Sequence, residues 1–486
     1  MDHQKEALNY IGGKWTQSSS GESINIDNPA DGEKLATVTL SNQVDIDCAV
    51  KTARSAFRDW RRTPSTDRIQ YLFKFKNLLE ENLNDIARVT TLECGKTWEE
   101  AKGELRRGIQ NVEAACGIPF LMMGSNAEDI SSGIDEHMIR QPLGVVTAIT
   151  PFNFPAMIPL WFLPYAIACG NTFILKPSER VPLTMASIFE LLDLLDLPPG
   201  VVGMVQGRKR VVDGLIKHPD VQAISFVGST PVARSIYAKA ARYGKRVQAQ
   251  GGAKNAVVIL PDADMKVTSR IVNESAFGCA GQRCLAASAA ITVGDARNSF
   301  GAEMRELVES CQLGFGLDAG VTMGPVITAE SKKRIEGLIE QGLEQGAEAV
   351  VDGRETVLRG AETGHFLGPT ILSGVSPSSE LAQTEIFGPV LSMIHVDNLD
   401  RAINLINQSD FGNMACLFTS SGRSAREFRY RVRAGNIGIN VGVAAPMAFF
   451  PFSGWKDSFF GDLHAQGLDA IDFYTEKKIV VERWPG

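Results

Sequence analysis

The sequence predicts an α/β protein of two or three domains, and three observations lead there. At 486 residues the chain exceeds what one ordinary core holds. Between residues 144 and 228 short β-branched runs alternate with helical stretches, and after residue 255 the alternation begins again. Such alternation builds right-handed parallel βαβ units whose ligands sit at the carboxyl ends of the strands.

In chain order, helices over 43–60, 65–87 and 96–117 can pack onto the first sheet. "GVVTAIT" (144–150) is a strand, 155–168 a buried helix and "NTFILK" (171–176) a strand. A helix over 182–196, the strand "VVGMVQ", a helix over 208–217 and the strand "AISFVG" (223–228) complete the first unit. The second unit opens with the strand "AVVILPDAD", continues with helices over 268–279 and 296–313, and runs to about 440. "DEHMIRQP" (135–142) and the tail "LDAIDFYTEKKIVVERW" (468–484) read as strand material outside both units. Together they can form a small sheet for subunit association.

Hydrophobic residues at 44% and charged residues at 22% fit a soluble globular protein. The net charge of -7 argues against a general nucleic-acid binder and suits an acidic cytoplasmic enzyme. The amino terminus shows no apolar core of a secretory signal. The most apolar stretch, Pro155 to Gly170, carries three prolines and is shorter than the ~20 residues a membrane span needs. Eight cysteines without C-x-x-C spacing and six histidines without paired spacing predict neither a disulfide framework nor a metal site.

No G-x-G-x-x-G follows a predicted strand. In its place stands "FVGSTPVARS" (226–235), where Ser229 or Thr230 can N-cap a helix and Pro231 fits its first turn. Such a helix start suits a pyrophosphate, although an ordinary strand-to-helix turn reads the same way. In "ILKPSER" (174–180) Lys176 and Glu179 lie at a strand's carboxyl edge, suited to ribose hydroxyls or to a surface ion pair. A glutamate there disfavours a 2′-phosphate, pointing to NAD over NADP. "TPFNFP" (150–155) presents Asn153 from a rigid turn, where its amide can donate to a developing oxyanion. "FGCAGQRC" (277–284) sets Cys279 and Cys284 five residues apart with Arg283 beside the second. As nucleophiles the two thiols are almost tied on the residues alone.

The succession of Asn153, Lys176, Ser229, "GQRC" (281–284) and "EIFGPV" (385–390) resembles the aldehyde dehydrogenase superfamily from about residue 10 to the carboxyl terminus. The resemblance implies a Rossmann-type NAD-binding domain (1–119 and 142–252), an α/β catalytic domain (253–450) and oligomerisation segments (120–141 and 466–486), in a homotetramer built as a dimer of dimers. It makes Cys284 the nucleophile, its thiolate favoured by Arg283 and by the amides of a helix start, and Cys279 structural. Asn153 and the Cys284 backbone N–H would form the oxyanion hole. Thr150, Phe152, Lys176, Glu179, Arg180, Ser229, Gly251 and Phe387 match cofactor-lining positions, and Glu385 matches the carboxylate that holds the nicotinamide ribose.

Most of the family carries E-L-G-G-K-N, whose glutamate activates water for deacylation. Here "QGGAKN" (250–255) places Gln250 at that position, and an amide cannot take a proton from water. A slowly hydrolysed thioester suits attack by another thiol, with coenzyme A as acceptor. That departure resembles the methylmalonate-semialdehyde dehydrogenase branch, as do "GELRRGIQNVEAACG" (103–117), "FFGDLHAQG" (459–467) and "IDFYTEKK" (471–478). The branch implies that Arg107 and Arg283 hold the substrate carboxylate while malonate or methylmalonate semialdehyde becomes acetyl-CoA or propionyl-CoA with loss of CO2. On the residues alone, Arg107 reads as a solvated helix face beside Arg106. "GQRC" in place of the branch's more usual "GERC", and the segment 440–457, depart from the pattern. The alternative is a hydrolytic enzyme acting on another carboxylated aldehyde such as succinate semialdehyde.

Overall fold

Five parallel strands centre the first large sheet, in the order Arg246–Gln250, Val221–Val227, Val145–Ile149, Thr172–Lys176 and Val202–Met204. The strands Val145–Ile149 and Thr172–Lys176 are buried at every position, as a parallel sheet with both faces covered requires. The computed structural model describes residues 6–484 apart from Val357 and Arg359. Register fixes the functional edge. Ile149 lies opposite Lys176 and Phe226, and Val227 opposite Gln250. The segments starting at Thr150, Pro177, Gly228 and Gly251 therefore leave from one edge, the carboxyl edge. Antiparallel strands Asn9–Ile11, Lys14–Thr16 and Phe459–Phe460 extend the sheet at its two sides.

The second sheet runs Glu348–Val351, Thr370–Ser373, Val390–Val396, Ala289–Val293, Ala256–Ile259, Met414–Phe418 and Asn436–Ile439, with every pairing parallel except the first. Ala256 pairs with Ala289 and Ala415, and Ala289 with Ser392. Asn255, the loop before Ala289, the segment before Val390 and Asn413 thus share its amino edge. A cleft opens where the carboxyl edge of the first sheet meets the amino edge of the second. No helix of the described residues is long and apolar enough to cross a membrane.

Sequence and structure part at several elements. The helix expected over 155–168 is two short helices, Met157–Leu160 and Leu163–Ala168, because Pro159 and Pro164 interrupt the backbone ladder. The expected 65–87 helix divides at Asn82 into Ser65–Glu81 and Leu83–Cys94. The tail is not strand throughout: Gly467–Tyr474 is a helix, burying Ala470, Ile471, Phe473 and Tyr474 at helical spacing. Its second half, Thr475–Glu482, does pair with Ile134–Pro142, which in turn pairs with Ser125–Ser131.

Candidate active site

The loop that carries Cys279 and Cys284 follows the helix Met265–Phe277. Cys279 and Ala280 take left-handed φ values of 51° and 52°, and Gly281 follows at 70°. Non-glycine residues hold such angles only where the surroundings impose them. Glycine is required at 281 for space as well: a Cβ there would stand 2.0 Å from the Gly388 carbonyl oxygen. The loop is thereby pressed onto the segment 385–390, where Phe387 also has a positive φ of 50°. Gln282 donates to the Cys279 carbonyl at 3.2 Å and accepts from the Ile327 N–H at 3.0 Å, a double role that a carboxylate cannot fill. The Cys284 carbonyl accepts from the side-chain amides of Asn255 and Asn413, each at 2.9 Å. Asn413 in turn accepts from Gln250 Nε2 at 3.0 Å. Gln250 is thus a buried brace, one residue removed from the Cys284 carbonyl.

Burial pushes the Cys284 thiol up to about 12, and the negative charge of Glu385 adds to the effect. The amides of Cys284 and Leu285 pull the other way, and Arg283 contributes less still. Arg283 favours the thiolate as expected, but weakly, and the amides of Cys284 and Leu285 lie in a turn rather than at the expected helix start. Arg283 Nε donates to Cys279 Sγ at 3.2 Å, and its Nη2 donates to Glu100 Oε1 at 3.0 Å. The left-handed turn at 279–281 folds residue 283 back along residue 279, so Arg283 and Cys284 line different cavities. Alkylation of Cys284 by iodoacetamide should accordingly rise about tenfold per pH unit from pH 7 to 9, following the thiolate fraction. Glu385→Gln removes the neighbouring negative charge and should raise the rate at pH 8. A rate flat across this range would mean that the proton has already left the sulfur.

Phe152, Asn153, Ser229, Gly251, Cys284, Glu385 and Phe387 come together around one cleft of about 560 Å³. Asn153 Nδ2 donates to the Gln282 carbonyl at 3.0 Å, placing the amide against the loop that carries Cys284. Phe152 and Phe387 meet edge-to-face at 5.8 Å. Glu385 Oε1 accepts from the Ala253 N–H at 2.9 Å, and burial raises its carboxyl to about 7. Gly252 leaves room for it, since a Cβ there would lie 2.3 Å from Glu385 Oε2. Ser229 is the N-cap of the helix Thr230–Arg242, with Pro231 in the first turn and no side-chain cap bond. Gly228, Ser229, Thr230 and Pro231 line the cleft, so this uncapped helix start lies where a pyrophosphate would suit it. Thr230 Oγ1 accepts from the Gly252 N–H and donates to the Asp457 carbonyl, fixing the neighbouring loop.

Lys176 and Glu179 pair at 3.0 Å on the same sheet edge but do not line this cleft. Burial lowers the Lys176 ammonium and Glu179 opposes that shift. Thr150 is buried beside them, its N–H donating to the Lys176 carbonyl at 3.1 Å, whereas Arg180 is exposed. Arg107 is half-buried rather than on a solvated face: its Nη2 donates to the Pro446 carbonyl at 2.5 Å, and its Nη1 meets Met447 Sδ. The two arginines expected to share one carboxylate have different contacts here, Arg283 with Cys279 and Glu100 and Arg107 with residues 446 and 447. Glu100 already supplies Arg283 with a carboxylate, leaving Arg107 as the guanidinium at the 440–457 loop.

Asn255, Asn413 and Arg334 were not singled out from the sequence. Arg334 lines the cleft and donates to the Ile386 carbonyl. Asn255 lies inside "QGGAKN" and could have been found there; Asn413 and Arg334 belong to no local motif. Among the described residues no three His, Cys, Asp or Glu side chains are grouped to hold a metal ion.

Residues 15–480 match the aldehyde dehydrogenase family. The malonate-semialdehyde dehydrogenase of Halalkalibacterium halodurans is 50% identical over 477 residues, 98% of either chain. The solved methylmalonate-semialdehyde dehydrogenase of Oceanimonas doudoroffii superposes with a TM-score of 0.98 at 43% identity, covering 99% of each chain. A Sinorhizobium meliloti protein assigned the same activity and solved with NAD has the same TM-score and identity over 100% of this chain and 99% of its own.

Proposed function

Because the chain belongs to the aldehyde dehydrogenase family, we propose that it oxidises malonate or methylmalonate semialdehyde with NAD, through a thioester on Cys284 that passes to coenzyme A. One observation within the site carries the acyl-transfer half of this reading. At position 250, where the family's water-activating glutamate would stand, a buried glutamine is spent on bracing Asn413.

The Cys284 thiolate attacks the aldehyde carbon, forming a C–S bond as the carbonyl electrons move onto oxygen. Asn153 Nδ2 and the Cys284 N–H are the donors for that oxyanion. Its collapse restores the C=O bond and expels hydride, leaving the acyl group on sulfur. NAD, when bound, accepts that hydride. The helix start at 229–231 would hold its pyrophosphate, Lys176 and Glu179 its adenosine ribose, and Glu385 its nicotinamide ribose. The thiolate of coenzyme A then attacks the thioester, and Cys284 leaves as thiolate. A carboxylate β to a thioester carbonyl can depart as CO2 because that carbonyl takes up the electron pair as an enolate, which is then protonated. Arg107 meets the substrate carboxylate, which as a charged acceptor displaces the neutral Pro446 carbonyl.

In this reading residues 1–119 and 142–252 carry NAD, 253–450 carry Cys284, and 120–141 with 466–486 join subunits of a cytoplasmic homotetramer. Ile479, Val481 and Trp484, exposed on or beside the outer strand Thr475–Glu482, support that role. Release of a free acid, from succinate semialdehyde for example, has one observation in its favour: the Glu385 carboxyl shares the cleft with Cys284.

NADH formation from each semialdehyde, with and without coenzyme A and with products identified by mass spectrometry, decides the matter. Acetyl-CoA and propionyl-CoA formed only with coenzyme A are the expected result. Free acid formed equally fast without it would overturn the acyl-transfer reading.

A further inference from the structure

We propose that the buried Lys96–Glu104 ion pair is a positioning device for the oxyanion donor Asn153. The inference rests on the role given to Asn153 above. Lys96 Nζ donates to Glu104 Oε2 and to the Asn153 carbonyl, both at 2.6 Å. The two side chains are 2% and 0% exposed. The ammonium also stands 4.3 Å from the centre of the Phe154 ring. The second carboxylate oxygen of Glu104 accepts from the Ala156 N–H at 2.8 Å and the Met157 N–H at 3.1 Å. One ion pair thereby grips the backbone of the 153–157 turn at three points and an aromatic face at a fourth.

Two features separate this pair from ordinary core architecture. A buried ion pair is seldom more stable than apolar residues of the same volume, so stability alone gives little reason for one here. Its bonds end, moreover, on the residue whose side chain must meet the oxyanion within a few tenths of an ångström. The same helix, Trp98–Ala115, holds the nucleophile loop one turn earlier: Glu100 Oε1 accepts from the Cys279 N–H at 2.6 Å and from Arg283 at 3.0 Å. Residues 100 and 104 lie on one helix face. The helix therefore acts as a rigid spacer between the loop of Cys284 and the turn of Asn153.

The test uses p-nitrophenyl acetate, because attack by Cys284 on an ester builds the same oxyanion without NAD or aldehyde. Iodoacetamide alkylation of Cys284 is the companion readout, since displacement of iodide forms no oxyanion. Lys96→Met should slow the burst of p-nitrophenolate about tenfold to a hundredfold while leaving alkylation and NAD affinity unchanged. Lys96→Met leaves Glu104 buried and unpaired, so Lys96→Met/Glu104→Gln, which removes both charges but keeps an acceptor for Ala156 and Met157, should show the same defect. In an Asn153→Ala background Lys96→Met should add no further loss, because the donor it positions is gone. Multiplying losses in that background, or alkylation falling in step with the burst, would overturn the proposal. So would a wild-type protein with no burst that depends on Cys284. Failure of the semialdehyde assignment would appear separately, in the NADH assay.

Discussion

Cys284→Ala is expected to lower NADH formation by about four to six decades, the scale seen when a covalent nucleophile is removed, while NAD affinity stays where it was. The loss should be this large because in the proposed reaction every later step passes through the C–S bond and no substitute is at hand. Among the described residues lining the cleft, Cys284 is the only cysteine. Cys279 is buried against Arg283, and its sulfur accepts from Arg283 Nε at 3.2 Å. NAD affinity should hold because the helix start at Ser229 and the Lys176–Glu179 pair make no contact through the Cys284 sulfur. Titration of intrinsic fluorescence with NAD and steady-state absorbance of NADH measure the two quantities on one preparation. Cys279→Ser, whose hydroxyl can still accept from Arg283, should keep activity close to that of the unsubstituted chain. Equal losses in the two variants would show that the loop geometry, not a particular sulfur, had been measured.

Much of this site was legible because its parts are contiguous stretches at the ends of strands. "TPFNFP", "ILKPSER", "FVGSTP" and "GQRC" each pair an unusual backbone residue with a polar one, and parallel register brings the first three to one sheet edge. What stayed hidden depends on turns and on long-range neighbours. Cys279 and Ala280 are not residues that advertise a left-handed φ, yet their turn decides that Arg283 meets Glu100 while Cys284 faces the cleft. Asn413 lies 129 residues from the carbonyl it braces, and nothing around it in sequence marks that task. The tail misled for a different reason. "LDAIDFY" has strand-forming residue types, but burial of Ala470, Ile471, Phe473 and Tyr474 on one helical face outweighs that preference. In the same way, the charged residues of the helix Trp98–Ala115 gave no sign that Glu100 and Glu104 turn inward to two different active-site segments.

Gln250→Glu should raise the ratio of free acid to acyl-CoA by about tenfold or more, because a positioned general base contributes about two to four decades to such a step. The gain should fall short of that range for a reason visible in the structure. Gln250 Nε2 now donates to Asn413 Oδ1, leaving Asn413 Nδ2 free to hold the Cys284 carbonyl. A carboxylate at 250 has no hydrogen to give, so Asn413 Oδ1 loses its donor and the amide is drawn to turn its NH2 toward the new charge. Asn255 would then hold the Cys284 carbonyl alone, and thioester formation should slow while its hydrolysis quickens. The ratio of products, rather than either rate, is therefore the quantity to measure, by mass spectrometry at saturating coenzyme A. Acid formation by this variant should fall as pH is lowered through the new carboxyl's pKa, since only the ionised form accepts a proton. An unchanged ratio would mean that water is kept from the thioester by the shape of the cleft, and that the glutamine at 250 matters for its hydrogen bond to Asn413 alone.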